Sequence, residues 1–146
     1  MSDIDRKNET AYDLDGVFIP DCDQIPDLGD HEAYLNLTMY MQPVFKPVGE
    51  WILLTGRPAE FESITKSWLL KYFTNQPKMI LHQRDSEKED NKDYKLRMIE
   101  EHDIDVYIES DKEIVDFLKS SLDVDKKTIV HYSEFCEMFL NYNAGA

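Results

Sequence analysis

Short apolar clusters alternate along the chain with longer stretches of helical spacing. The first cluster, Thr10-Ala11-Tyr12-Asp13-Leu14, is brief and strand-like. Trp51-Ile52-Leu53-Leu54 is an unbroken apolar run, the pattern of a strand covered on both faces. Lys78-Met79-Ile80-Leu81, Asp105-Val106-Tyr107-Ile108 and Thr128-Ile129-Val130-His131-Tyr132 read as three further strands.

Helical periodicity fills the gaps. A short helix is expected over His31–Met41. Pro58 suits the first position of another, after which Phe61, Ile64, Trp68 and Tyr72 recur on one face, widened by Leu69 and Phe73. Tyr94–His102 carries Leu96 and Ile99 on one side. Ser110-Asp111-Lys112-Glu113 has capping-box spacing, with Ser110 at the N-cap and Glu113 at N3. Ile114, Val115, Phe117, Leu118 and Leu122 then form a buried face, and Phe135, Met138, Phe139 and Tyr142 a last helix. This alternation predicts an α/β fold: a Rossmann-like three-layer sandwich with a mainly parallel five-stranded sheet and helices on both faces. Ligands of such sheets bind beyond the carboxyl ends of the strands. The residues just after each apolar run are therefore the ones to inspect.

Composition narrows the function. A chain of 146 residues reads as one domain over 1–146, long enough to bury roughly 70% of its unfolded surface. With 42% hydrophobic and 12% aromatic residues it is no disordered segment. Sixteen Lys+Arg against 30 Asp+Glu leave a net charge of −14, which disfavours nucleic-acid backbones and anionic membranes as partners. Arg57 and Arg84 are too few to make a basic track. A small anionic substrate stays open where a cation neutralises its charge. No apolar run is long enough for a membrane helix, and Met1–Arg6 has no signal-peptide character; a cytoplasmic protein is expected. Cys22 and Cys136 are far apart and expected to be reduced. His31, His82, His102 and His131 show no zinc spacing and are expected to pack or face solvent. Gln83–Asp93 reads as a polar surface loop.

The strand ends carry the chemistry. Asp13-Leu14-Asp15-Gly16-Val17 follows the first strand, and two carboxylates two residues apart can face one site. Like charges ~4 Å apart repel by about 4 kcal/mol at an effective dielectric near 20, so such a pair needs a cation or a shared proton; the bland alternative is a solvated acidic turn. Gly16 lets the backbone turn tightly. Thr55-Gly56-Arg57-Pro58 follows the second strand: a hydroxyl, a glycine and a helix start form an anion seat, or Thr55 simply caps the helix. Glu109-Ser110-Asp111 follows the fourth strand, where Asp111 could merely complement the helix dipole. Lys95 opens the third helix and Lys92 lies one turn earlier; either can bring a cation to the acids.

Taken together, an acid pair, a Thr-Gly, a lysine and an acid after successive strands resemble the haloacid dehalogenase-like hydrolase superfamily. Asp13-Leu14-Asp15-Gly16-Val17 matches its first motif, Leu54-Thr55-Gly56-Arg57 its second, Lys95 (or Lys92) its third and Ile108-Glu109-Ser110-Asp111 its fourth. The fourth departs from the common Asp-Asp form. It is similar to a variant in small phosphatase-like relatives, some associated with phosphoribosyltransferases, as is Thr65-Lys66-Ser67-Trp68-Leu69. The resemblance spans about residues 10 to 132.

That resemblance implies a phosphatase working through an aspartyl-phosphate, with Asp13 as nucleophile and Asp15 as general acid and then base. It implies Thr55 and Lys95 as catalytic partners of the phosphoryl group, with Gly56 and Arg57 binding substrate. Mg²⁺ is the implied cofactor, held by Asp13, Asp15 through its backbone carbonyl, and Glu109, with Asp111 as the alternative ligand. The implied partner is a small phosphorylated metabolite, a nucleotide or sugar phosphate; an oligomer is compatible with the sequence. The superfamily usually selects substrates with inserted caps. The insert here, about residues 18–48, is too short for a large one, so a capless or minimally capped enzyme is expected. Tyr34, Tyr40 and Phe45 are expected to pack the insert on the sheet, with shaping of the site mouth as their alternative role. A different class also fits the fold: a non-catalytic phosphate- or protein-binding module, although such a module has no use for Asp15.

Overall fold

Five strands among the described residues form one sheet: β1 (Thr10–Tyr12), β2 (Ile52–Pro58), β3 (Met79–Gln83), β4 (Val106–Glu109) and β5 (Thr128–His131). Their order is β3-β2-β1-β4-β5 and every pairing is parallel. The helices are α1 (His31–Thr38), α2 (Glu62–Tyr72), α3 (Asn91–Glu101), α4 (Lys112–Ser121) and α5 (Tyr132–Phe135), the last continuing into a π-helical stretch Cys136–Asn141. The computed structural model describes residues 8–21, 31–83 and 88–141. Cys22, Arg84, Tyr142, Met1–Arg6 and part of the Gln83–Asp93 loop lie outside the described residues, as do the side chains of His31 and Phe139.

Strand periodicity sorts the core into two halves, because alternate side chains point to opposite faces. Ala11, Ile52, Leu54, Tyr107 and Ile129 pack with Tyr94, Met98 and Ile99 of α3 and Ile114, Val115 and Leu118 of α4. On the opposite face Trp51, Leu53 and Ile108 pack with Trp68 and Leu69 of α2, and with Phe18 and Phe73. That second half is aromatic: Phe18 stacks on Phe45 at 4.6 Å between ring centroids, and Tyr12 meets Trp51 and Phe135 edge-on. Helices thus cover both faces, the three-layer α/β arrangement expected from the alternation. No helix among the described residues is long and apolar enough to cross a membrane.

Several local expectations change. Pro58 does not open a helix: β2 runs through it, a 3-10 turn follows over Ala59–Phe61, and α2 begins at Glu62. The β2–β3 register shifts between Leu54 and Pro58, so Thr55, Gly56 and Arg57 form an irregular strand end. Irregularity of that kind re-aims side chains. Helix α3 starts at Asn91, three residues before the expected Tyr94. The cap of α4 is Asp111, whose side chain accepts from Glu113 N at 2.9 Å. Ser110 is not the cap, because its hydroxyl turns back to donate to the Asp15 carbonyl at 3.2 Å.

Candidate active site

The sheet order places a topological switch at β1, whose chain neighbours depart in opposite directions: β2 and β3 to one side, β4 and β5 to the other. The crevice beyond the carboxyl ends of β1 and β4 is where such sheets take ligands. Register carries the acids there. Ala11 pairs with Tyr107, and two residues further on Asp13 and Glu109 project from the same face of the sheet. Asp13 N donates to Ile108 O at 3.0 Å, which keeps the two strand ends together. That face is covered by α3, and Lys95 stands on it.

Lys95 therefore meets both carboxylates. Its Nζ lies 3.3 Å from Asp13 Oδ2 and is hydrogen-bonded to Glu109 Oε1. All three are buried, with Lys95 1%, Glu109 1% and Asp13 6% exposed. Tyr107 donates to Glu109 Oε1 at 2.8 Å, and Ser110 N and Asp111 N donate to Oε2 at 2.9 and 3.0 Å. Burial opposes the lysine's charge, yet Asp13 and Glu109 outweigh it and hold Lys95 above its ordinary range. Burial likewise works against Glu109, but Lys95 and its hydrogen bonds keep this acid below the usual carboxylate value. Asp13 goes the other way: burial and then the charge of Glu109 push it well above, and Lys95 only partly compensates. One ammonium between two carboxylates leaves one negative charge uncompensated at Asp13, and either a proton on that carboxyl or a second cation can meet it. Lys92 stays out of the site, with its Nζ 5.2 Å from the centre of the Phe117 ring.

Asp15 lies on the turn after β1. Gly16 makes that turn with φ +88°, a conformation side chains rarely take, and a Cβ there would stand 2.5 Å from Ser110 Oγ. The Asp15 carboxylate accepts from Arg57 twice, Nε to Oδ2 at 2.8 Å and Nη2 to Oδ1 at 2.7 Å. Tyr34 donates to Oδ1 at 2.6 Å.

A cavity of about 180 Å³ opens over these groups, lined by Asp13, Asp15, Asp21, Gly56, Arg57, Asn91, Lys95, Glu109, Ser110, Asp111 and Ile114. Thr55 is buried beside it, where its Oγ1 accepts from Arg57 N at 3.1 Å. It neither caps α2 nor sits at a helix start, because the helix begins seven residues later. Gly56 is backbone only on its cavity side: a Cβ would meet the Asn91 side chain at 2.3 Å. Of the insert aromatics, Tyr34 reaches the site, Phe45 joins the core and Tyr40 is 75% exposed. Tyr107 could have been found from its spacing two residues before Glu109. Asn91 carries no local signal, because only the fold brings it to the cavity. Tyr34 stands in the sequence as an alternative for the site mouth, and Ser110 in the strand-end segment with Glu109, but their partners cannot be read from the sequence. His131, given no role in the sequence, places Nε2 2.9 Å from the Ser110 carbonyl and braces that loop.

Among the described residues no three His, Cys, Asp or Glu side chains converge as a ready metal cage. Mg²⁺ does not require one: it keeps several waters and uses one or two carboxylates plus substrate phosphate. The oxygen donors on the cavity, the Asp13 carboxylate, the Asp15 carbonyl and Asp111, are of the hard type this ion selects. Glu109 has both oxygens engaged by Lys95, Tyr107 and two backbone N–H groups, so Asp111 is the better-placed third donor.

No protein-family model matches the chain, and no curated protein matches it.

Proposed function

We propose that the protein is a Mg²⁺-dependent phosphatase that hydrolyses a phosphomonoester through a phosphorylated Asp13. The observation that carries this reading is the meeting of Asp13, Lys95 and Asp15 at one cavity on the switch point of the sheet. Asp13 comes off β1, Lys95 from a helix 82 residues later, and both border the oxygen donors for an ion.

In the first step an Asp13 carboxylate oxygen attacks phosphorus, the bond from phosphorus to the ester oxygen breaks, and that oxygen takes a proton from Asp15. In the second, a water oxygen attacks the same phosphorus and gives its proton back to Asp15. The bond from phosphorus to Asp13 breaks, and inorganic phosphate leaves. Lys95 holds the Asp13 carboxylate in place and offsets charge as the phosphoryl group arrives. Mg²⁺, held by Asp13, the Asp15 carbonyl and Asp111, would supply the further positive charge that lets a phosphate dianion approach a carboxylate. A cavity of about 180 Å³ has room for the phosphoryl end of a substrate; the substrate class proposed is a small phosphorylated metabolite.

The test is hydrolysis of p-nitrophenyl phosphate with and without Mg²⁺, comparing the native chain with Asp13→Asn. Metal-dependent turnover that disappears in the variant is the expected result. No turnover on this substrate or on a broad panel of phosphorylated metabolites transfers support to a phosphate- or protein-binding module.

A further inference from the structure

Arg57 follows the Thr-Gly pair and borders the cavity, yet its guanidinium is spent inside the protein. The residue is 3% exposed. Besides the two-pronged contact with Asp15, Nη1 lies 3.2 Å from Thr65 Oγ1 of α2 and Nη2 3.4 Å from Thr38 Oγ1 of α1. Both hydroxyl residues are fully buried. Tyr34, one turn before Thr38 on α1, reaches Asp15 Oδ1, and its hydroxyl is 2.8 Å from the Pro20 carbonyl. Two elements, β2 through Arg57 and α1 through Tyr34, thus meet on the Asp15 carboxylate, while Thr65 of α2 and Thr38 of α1 hold the guanidinium. A fork of two parallel bonds fixes the plane of that carboxylate, and the Tyr34 hydroxyl closes its remaining freedom. Removing one partner of such a largely buried pair leaves the other charge uncompensated, so Arg57 and Asp15 are held to each other.

We infer that Arg57 is a positioning residue rather than a phosphate-binding one, and that with Tyr34 it sets the angle at which Asp15 addresses the reacting oxygens. Helix α1 then acts as a brace: it supplies Tyr34 to Asp15 and Thr38 to Arg57. The inference rests on the phosphatase reading above.

Arg57→Lys keeps a cation and loses the fork, whereas Tyr34→Phe removes one hydroxyl from the interior. Both are measured with p-nitrophenyl phosphate and Mg²⁺, and the reaction is acid-quenched for intact mass. A displaced Asp15 costs turnover: kcat falls about 10- to 100-fold in Arg57→Lys and several-fold in Tyr34→Phe, with KM within about twofold. Because nitrophenolate leaves without a proton, the first step survives and the water step suffers. Chains carrying one phosphoryl group therefore accumulate, which a mere loss of folded protein would not produce. A KM that rises with kcat unchanged, together with lost inhibition by inorganic phosphate, overturns the inference in favour of substrate binding. So does a Tyr34→Phe variant identical to the native chain in kcat and mass, the deciding result should Arg57→Lys fail to fold. Absence of turnover in the native chain itself removes the phosphatase reading, and the inference with it.

Discussion

Lys95 sits 3.3 Å from Asp13 across the ends of two strands, and its own partner Glu109 comes from the second of them. A helix-borne cation thereby joins acids that are 96 residues apart in the chain. Removing it strands two carboxylates in a buried space. Lys95→Met is expected to lower unfolding free energy by about 3–5 kcal/mol, the range for breaking a buried charge pair from one side. Lys92→Ala, on the surface side of the same helix, should shift it by less than about 0.5 kcal/mol. Urea unfolding of the two variants reads the contrast, and equal effects would remove Lys95 from its assigned place.

Asp13 is where function and stability oppose each other. Its folded carboxyl is held well above the ordinary range, by burial first and Glu109 second. The folded state therefore binds its proton more tightly than the unfolded chain does. The contribution of this group is present below about pH 4, the unfolded value, and is lost as pH rises through the folded one. Asp13→Asn carries no such loss. In buffer free of divalent ions its melting temperature should exceed that of the native chain at neutral pH, with a gap that widens as pH rises from about 4. A gap that narrows with rising pH would contradict the assignment.

Metal dependence separates the two acids after β4. Asp111 lines the cavity, while Glu109 is saturated by hydrogen bonds. Asp111→Asn should raise the Mg²⁺ concentration for half-maximal activity by about tenfold, the scale of losing one hard ligand. Glu109→Gln should act mainly on stability, because it unbalances Lys95. Thermal melts run alongside Mg²⁺ titrations of activity distinguish the two; an unchanged Mg²⁺ requirement in Asp111→Asn with a raised one in Glu109→Gln would return the ligand role to Glu109.

Gly16 tests the turn that presents Asp15. With φ +88° and Ser110 Oγ 2.5 Å from any added Cβ, Gly16→Ala should destabilise the fold by about 1–2 kcal/mol from backbone conformation alone. The displaced serine would also release the Asp15 carbonyl. Gly49→Ala is the control: its φ is +79° but nothing lies within 4 Å of the added atom. A larger loss at Gly49 than at Gly16 would show that the Ser110 contact carries no weight.

The chain's own pattern settled the layer architecture and the acids and Thr-Gly after the strands, but left Lys95 and Lys92 as alternatives that only the docking of α3 separates. Hydrophobic alternation reports which residues a sheet buries, and a parallel sheet presents its carboxyl ends on one rim. The element boundaries that moved did so for tertiary reasons. Pro58 continues β2 because β3 offers it a partner in Gln83, and Ser110 gives up the cap of α4 because Asp15 lies within reach.

What no local pattern could decide is how the polar side chains pair. Glu109 and Asp111 are two residues apart, yet one is buried against Lys95 and the other caps α4 at the edge of the cavity. Arg57 reads as a ligand for an anion until the fold shows its fork closed on Asp15. Pairing of this kind depends on distances between segments remote in sequence and on the cost of burying each charge. Both quantities exist only once α1, α2 and α3 have docked on the sheet.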